Sequence, residues 1–246
     1  SWNWKCESAF SNDASSTSVG SIDSAGSVNT TAGISIVKWT GTGSAATVGH
    51  GLGVAPSMVI VKWRSSAGGS WATWHSSFVT ASNTDYLLLD SNGAKGFAGS
   101  LLFWNNTIPT SSVFSIGTNA GLNTNTGTYV AYCFADVEGY SKIGSYTGNG
   151  SADGTFVYTG FRPAYIMIKG TSTSSWVIID NKRNGYNVVE PYVLADSPNA
   201  ESSTYTVADF LSNGFKMRST AVHNASGQTW IYMAFAENPF KNSLAR

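Results

Sequence analysis

Ala55-Pro56-Ser57-Met58-Val59-Ile60-Val61-Lys62 decides the architecture, because the same pattern returns as Arg162-Pro163-Ala164-Tyr165-Ile166-Met167-Ile168-Lys169. The two prolines and the two lysines are offset equally (163 − 56 and 169 − 62 are both 107). Each copy is a proline, a run rich in β-branched residues and a lysine. That reads as a buried strand whose start is set by proline and whose lysine end reaches water.

Other segments fall into register around these strands. Trp39-Thr40-Gly41-Thr42-Gly43 answers to Tyr146-Thr147-Gly148-Asn149-Gly150, and Trp71 to Trp176. Leu89-Asp90-Ser91 answers to Ala195-Asp196-Ser197, Phe114 to Phe215, and Tyr129-Val130-Ala131 to Trp230-Ile231-Tyr232. The offset drifts from 107 to 101 (230 − 129), which places length changes in loops. Leu101-Leu102-Phe103-Trp104 is expected to be a strand, and Val207-Ala208-Asp209-Phe210-Leu211 a helical turn or a strand. Asn92-Gly93, Asn184-Gly185 and Asn213-Gly214 are expected to supply the positive φ of tight hairpins. No helix-period run occurs.

The expected fold is all-β: two tandem antiparallel β-sandwiches of jelly-roll-like kind, related by internal duplication, with seven or eight strands each. Residues 1–33 read as an extended lead-in, opened by a strand-like Ser1–Cys6 and continued by a hydroxyl-rich connector. Residues 34–140 form the first repeat and 141–246 the second.

Composition narrows the function. The chain has 246 residues, 42% of them hydrophobic, enough for one large core or two small ones. Lys+Arg 14 balance Asp+Glu 14, and charged residues are only 11%. Such a chain has no field to steer nucleic acid or an anionic membrane, so neither is expected as a partner. No apolar run is long enough for a transmembrane helix. Ser1 opens no signal-type segment, so no address is readable. Cys6 and Cys133 allow one bridge; Cys133, inside an apolar strand, reads as a buried free thiol.

No catalytic group, metal set or cofactor motif emerges. His50, in Gly49-His50-Gly51, is expected to bond a neighbouring carbonyl. His75 and His223 have no partner at ligand spacing. Asp85 and Asp90, and Asp180, Glu190 and Asp196, are expected to be turn carboxylates, with Asp90 and Asp196 serving side-chain-to-backbone bonds. Aromatics carry the functional signal, because flat faces stack on sugars while amides and hydroxyls supply hydrogen bonds. Trp71 and Trp176 are expected in the core. Candidate ligand-binding residues are Trp104, Asn105 and Asn106 beside one turn, Tyr186 and Asn187 beside another, and the loop residue Tyr192.

Thr31-Ala32-Gly33-Ile34-Ser35-Ile36-Val37, the run Gly43 to Gly53, the run Gly139 to Gly150, Phe156 to Pro163 and Asp209 to Lys216 resemble a phage family. It is an uncharacterised repeat domain of virion proteins from marine and cyanobacterial tailed phages. It often follows a laminin-G-like lectin domain in tail-fibre or capsid-appendage chains, and Trp2-Asn3-Trp4-Lys5 is similar to the junction after that domain. The resemblance implies a virion-surface structural or host-recognition protein, without established ligand residues. Its expected partners are copies of itself, often as trimers, other virion proteins and a host-surface glycan. A carbohydrate-binding module or adhesin of a cell-surface or secreted filament would use the same aromatics. A capsule depolymerase would need acid/base residues that neither cluster nor repeat.

Overall fold

The computed structural model describes residues 3–78, 85–96 and 100–238. Ser1 and Trp2 of the expected opening strand, and the last residues of the expected second repeat, lie outside them. The chain is all-β with antiparallel sheets and divides into two compact units. One comprises Ser1–Leu89 and Lys95–Ala135, the other Asp90–Ala94 and Asp136–Arg246.

Among the described residues the first unit holds nine strands: β1 (Ser8–Asn12), β2 (Ser24–Asn29), β3 (Ile34–Thr40), β4 (Ala46–Gly49), β5 (Met58–Trp63), β6 (Ala72–His75), β7 (Leu87–Leu88), β8 (Val113–Ile116) and β9 (Thr128–Phe134). Seven form one sheet in the order β1-β2-β3-β9-β5-β6-β7, and β4 pairs with β8. Alternation puts Val37, Trp39, Val59, Val61, Tyr129 and Ala131 on one face of the large sheet. They share a buried cluster with Ala46 and Val48 of β4 and with Phe114 and Ile116 of β8.

The second unit holds β10 (Ser141–Thr147), β11 (Phe156–Tyr158), β12 (Pro163–Gly170), β13 (Val177–Asp180), β14 (Val193–Leu194), β15 (Ala208–Leu211), β16 (Gly214–Met217) and β17 (Thr229–Ala236). Five form a sheet in the order β10-β17-β12-β13-β14, and three a sheet in the order β11-β16-β15. Ile166, Ile168, Trp230 and Tyr232 from the first of these share a cluster with Val157, Phe210 and Phe215 from the second. The arrangement β10-β17-β12-β13-β14 matches β3-β9-β5-β6-β7.

The two strands that open the sequence argument are central. β5 lies between β9 and β6, and β12 between β17 and β13. Pro163 starts β12, where the register with β17 shifts before Tyr165. The lysine end does not reach water in the second copy. Lys169 is fully buried. Its ammonium donates to the carbonyls of Gly93 (2.9 Å), Gly170 (2.8 Å) and Ser172 (3.1 Å), and Ser174 Oγ stands at 3.4 Å. A charge leaves water only with such a cage around it. Lys62, half-buried, donates to the Gly69 carbonyl and lies over the Trp71 ring.

Three expectations need correction. The hydroxyl-rich lead-in contains β1 and β2, which extend the large sheet through β3. Small residues permit this: a Cβ at Gly26 would collide with the Ile36 carbonyl oxygen. Leu101–Trp104 is no strand, because Ser100–Phe103 is a single helical turn, like Ala14–Thr17 and Ala120–Asn123. A short unbroken apolar run suits either geometry. The Asn-Gly glycines do not take positive φ, whereas Gly43 (φ 75°) and Gly150 (φ 68°) do. Gly214 instead lies in β16, where a Cβ would strike the Val157 carbonyl.

Two buried asparagines close the units in the same way. Asn123 Nδ2 donates to the carbonyls of Ser44 (2.5 Å) and Gly117 (2.9 Å), and its Oδ1 accepts from Thr42 N (2.8 Å). Asn224 Nδ2 stands 2.8 Å from each of Asn149 Oδ1, Ser151 O and Ser219 O, and its Oδ1 accepts from Asn149 N (3.2 Å). Their own carbonyls accept from Gly43 N (2.8 Å) and Gly150 N (2.7 Å).

Candidate functional site

Trp104 does not offer a face to a ligand. It is 2% exposed and packs in the core of the first unit. The helical turn before it swings the indole inward, and Thr107 N bonds the Trp104 carbonyl at 3.1 Å. Asn105 and Asn106 then take left-handed conformations (φ 50° and 49°), a role that asparagine tolerates. Tyr186 is 84% exposed, on a loop where its N–H meets Asn184 Oδ1 at 3.3 Å. Asn187 uses its side-chain amide structurally: Nδ2 donates to the Phe210 carbonyl (3.0 Å) and Oδ1 accepts from Phe210 N (2.9 Å). It docks the loop on β15. Trp104 and Asn187 are therefore committed to the structure of their own units.

Tyr192 leads to a better site. A cleft of about 410 Å³ in the second unit is lined by Tyr192, Tyr205, His223, Trp230, Ser174 and Gln228, among others. Its size falls in the range of small-molecule pockets. Val177 of β13 and Leu194 of β14, partners across the ladder, lie in its wall. The Tyr192 ring stacks on Tyr205 at 6.1 Å and 21°, and its hydroxyl lies 3.1 Å from Thr204 Oγ1. Tyr205 is 47% exposed.

The loop between β16 and β17 brings His223 to this wall. His223 takes a left-handed φ of 65°, the next residue is the Asn224 clamp, and Tyr146 Oη donates to the His223 carbonyl at 2.6 Å. The imidazole is 4% exposed and packs against Trp230 at 5.4 Å and 58°. His223 Nδ1 and Trp230 Nε1 are buried without hydrogen-bond partners. Burial holds the imidazole pKa down to about 4, so the ring is neutral near pH 7. None of the residues lining the cleft carries a formal charge. His223 was set aside at the level of sequence for want of a ligand-spaced neighbour. Its partner Trp230 is close only through the folded loop.

The first unit has a corresponding but smaller cleft. Ala72 and Leu88, cross-strand partners like Val177 and Leu194, line a cavity of about 280 Å³ with Phe103 and Gly121. Tyr86 stacks on Phe103 at 3.8 Å and 11°. Phe103 stacks on Tyr86 there as Tyr205 does on Tyr192, and Leu122, buried, precedes Asn123 as His223 precedes Asn224.

Other polar groups singled out in the sequence have structural partners. His50 Nε2 lies 3.1 Å from the Thr110 carbonyl and its Nδ1 accepts from Leu52 N at 3.2 Å, as expected for a turn histidine. Asp196 Oδ1 accepts from Trp176 N at 2.8 Å. Asp180 caps Lys182 N and Arg183 N, and Asp85 pairs with Lys95. Cys6 and Cys133 are unbridged, and burial pushes the Cys133 thiol up to about 12. Among the described residues no three His, Cys, Asp or Glu side chains gather as a metal set, and no helix is long and apolar enough to cross a membrane.

Fold and site together define an all-β protein of antiparallel sheets with an uncharged, aromatic-lined cleft. The model of a domain of unknown function, DUF7483, matches residues 1–239, and the chain belongs to that family. No curated protein and no solved structure matches it.

Proposed function

We propose that this chain is a non-enzymatic structural segment of a phage virion, from a tail fibre, spike or capsid appendage, displayed as a homo-oligomer that meets the host surface. Its units are read as tandem jelly-roll-like sandwiches related by duplication. The shared sheet order and the twin Asn123 and Asn224 clamps support that reading. The observation that carries the functional reading is a repeated frame with carboxylates serving as turn and ion-pair partners, while Tyr192 and Tyr205 stand at a cleft and Tyr186 in solvent.

Self-association has a surface to use. β11 is an edge strand, and Phe156 and Tyr158 are exposed on it by 46% and 65%, two residues apart and so on one face. Exposed aromatics on an edge suit packing against another copy. The low charged fraction, 11%, favours such contacts, and the reading calls for no cofactor, nucleic acid or membrane insertion.

The test is to raise antibodies against the chain and label purified particles, with the mass of the isolated protein measured at micromolar concentration. Labelled appendages and an oligomeric mass are the expected results. A strict monomer together with unlabelled particles would overturn the reading.

A further inference from the structure

We infer that the cleft of the second unit binds an uncharged pyranose residue, held against Tyr205 and hydrogen-bonded at the wall formed by His223, Trp230, Ser174 and Gln228. This rests on the reading of the chain as a surface-recognition protein and names the ligand of its cleft.

Three features select that chemistry. The aromatic wall comes first: Tyr205, half exposed, is backed by Tyr192 at 6.1 Å in near-parallel stacking. A rigid flat ring of this kind suits the apolar face of a sugar, because little side-chain entropy is lost on binding.

The unpaired nitrogens come second. An indole N–H can only donate, whereas a neutral imidazole offers one donor and one acceptor. A buried polar atom without a partner carries a desolvation penalty that a fitting ligand relieves. A sugar hydroxyl both accepts and donates, so sugar hydroxyls suit the unpartnered Trp230 Nε1 and His223 Nδ1. A hydrocarbon could serve neither.

The absence of charge comes third. No Asp, Glu, Lys or Arg lines the cleft. Lys169, whose ammonium lies 3.4 Å from Ser174 Oγ, is already caged by three carbonyls. An acidic sugar would be desolvated there without a counter-ion. The first unit is the internal contrast, since its cavity of about 280 Å³ has Phe103 in place of the tyrosine, and Leu122 precedes the clamp asparagine where the second unit has His223. One sugar site per chain follows.

The intact chain would be titrated by calorimetry and saturation-transfer NMR with the methyl pyranosides of glucose, galactose, mannose and N-acetylglucosamine. N-acetylneuraminate and methyl glucuronide form the acidic arm. Binding of at least one neutral pyranoside, with one site per chain and saturation transfer to its ring protons, is expected. Tyr205→Ala should weaken it by about tenfold or more, as for a buried aromatic anchor. Gln228→Ala, which leaves the core intact, should also weaken it, while Tyr186→Ala should leave it unchanged. Binding of only acidic sugars, binding of none, or affinity insensitive to both Tyr205→Ala and Gln228→Ala would overturn the inference. Labelled particles with no sugar binding would remove this inference alone, whereas sugar binding without labelled particles would remove the virion reading alone.

Discussion

His223 and Trp230 pack ring against ring at 5.4 Å and 58° in the wall of an uncharged cleft, and neither His223 Nδ1 nor Trp230 Nε1 has a hydrogen-bond partner. Protonating that imidazole would place a charge in a dry wall. Burial therefore lowers its pKa to about 4 in the folded chain, against 6.5 ordinarily. Between those values the unfolded chain binds the proton and the folded chain does not, so stability rises with pH across that window. It is unaffected above about pH 6.5 and falls as pH drops towards 4, by at most roughly 3 kcal/mol. His223→Asn, which tolerates the left-handed backbone, should flatten this acid slope in urea unfolding curves taken at successive pH values. An unchanged slope would show that His223 is not the group responsible.

Lys169 gives the opposite end of the pH range. Its ammonium is fully buried, and desolvation lowers its pKa to about 8. The unfolded chain keeps that proton until about 10.5, so this group makes the fold more stable as pH rises from 8 to 10.5. Lys169→Met should remove that alkaline rise. At neutral pH it should also destabilise by about 1–3 kcal/mol, because the Gly93, Gly170 and Ser172 carbonyls lose their donor. Denaturant midpoints at pH 7 and pH 9.5 separate the two effects.

Asn123 and Asn224 should behave alike. Each is buried and ties a glycine turn to a distant loop through both amide atoms. Replacing either with alanine leaves several buried polar groups unpaired, and a loss of roughly 2–4 kcal/mol is expected for each. Chemical unfolding of the two variants checks this; a loss below 1 kcal/mol at either site would deny the clamp its role.

Trp104 and Tyr186 should separate cleanly. Trp104→Ala opens a cavity in a packed core and should destabilise by about 3–5 kcal/mol. Tyr186→Ala alters a side chain 84% exposed and should stay within about 0.5 kcal/mol. Thermal unfolding of both proteins is the check.

Phe156 and Tyr158 are the residues to test for self-association. The double variant Phe156→Ser, Tyr158→Ser should shift the sedimentation velocity distribution of the chain towards the monomer while leaving its circular dichroism unchanged. An unaltered distribution would place the contact elsewhere.

Much of the frame was legible in the chain. Alternation and β-branched runs marked β3, β5, β9, β12 and β17, because a strand with a buried face writes its period into the sequence. Ser24–Asn29 was not legible as β2: its residues are small and polar, and pairing with β3 rather than apolar periodicity makes it a strand. The burial of Trp104 was not legible, because a four-residue apolar run followed by Asn-Asn is compatible with both a strand end and a helical turn. Tyr192 and Tyr205 were visible as loop aromatics, but nothing local linked them to His223, whose position depends on Asn224 reaching Asn149 across 75 residues.

The sequence by itself determined an all-β, charge-poor chain with two core strands of the same pattern, because side-chain alternation and composition are local and survive without any knowledge of contacts. Only the tertiary structure decided that the lysine ending the second of those strands is caged rather than solvated, that Trp104 is core, and that a neutral cleft joins Tyr205, His223 and Trp230. Those outcomes depend on which distant carbonyls, rings and loops share a volume, and long-range packing sets that.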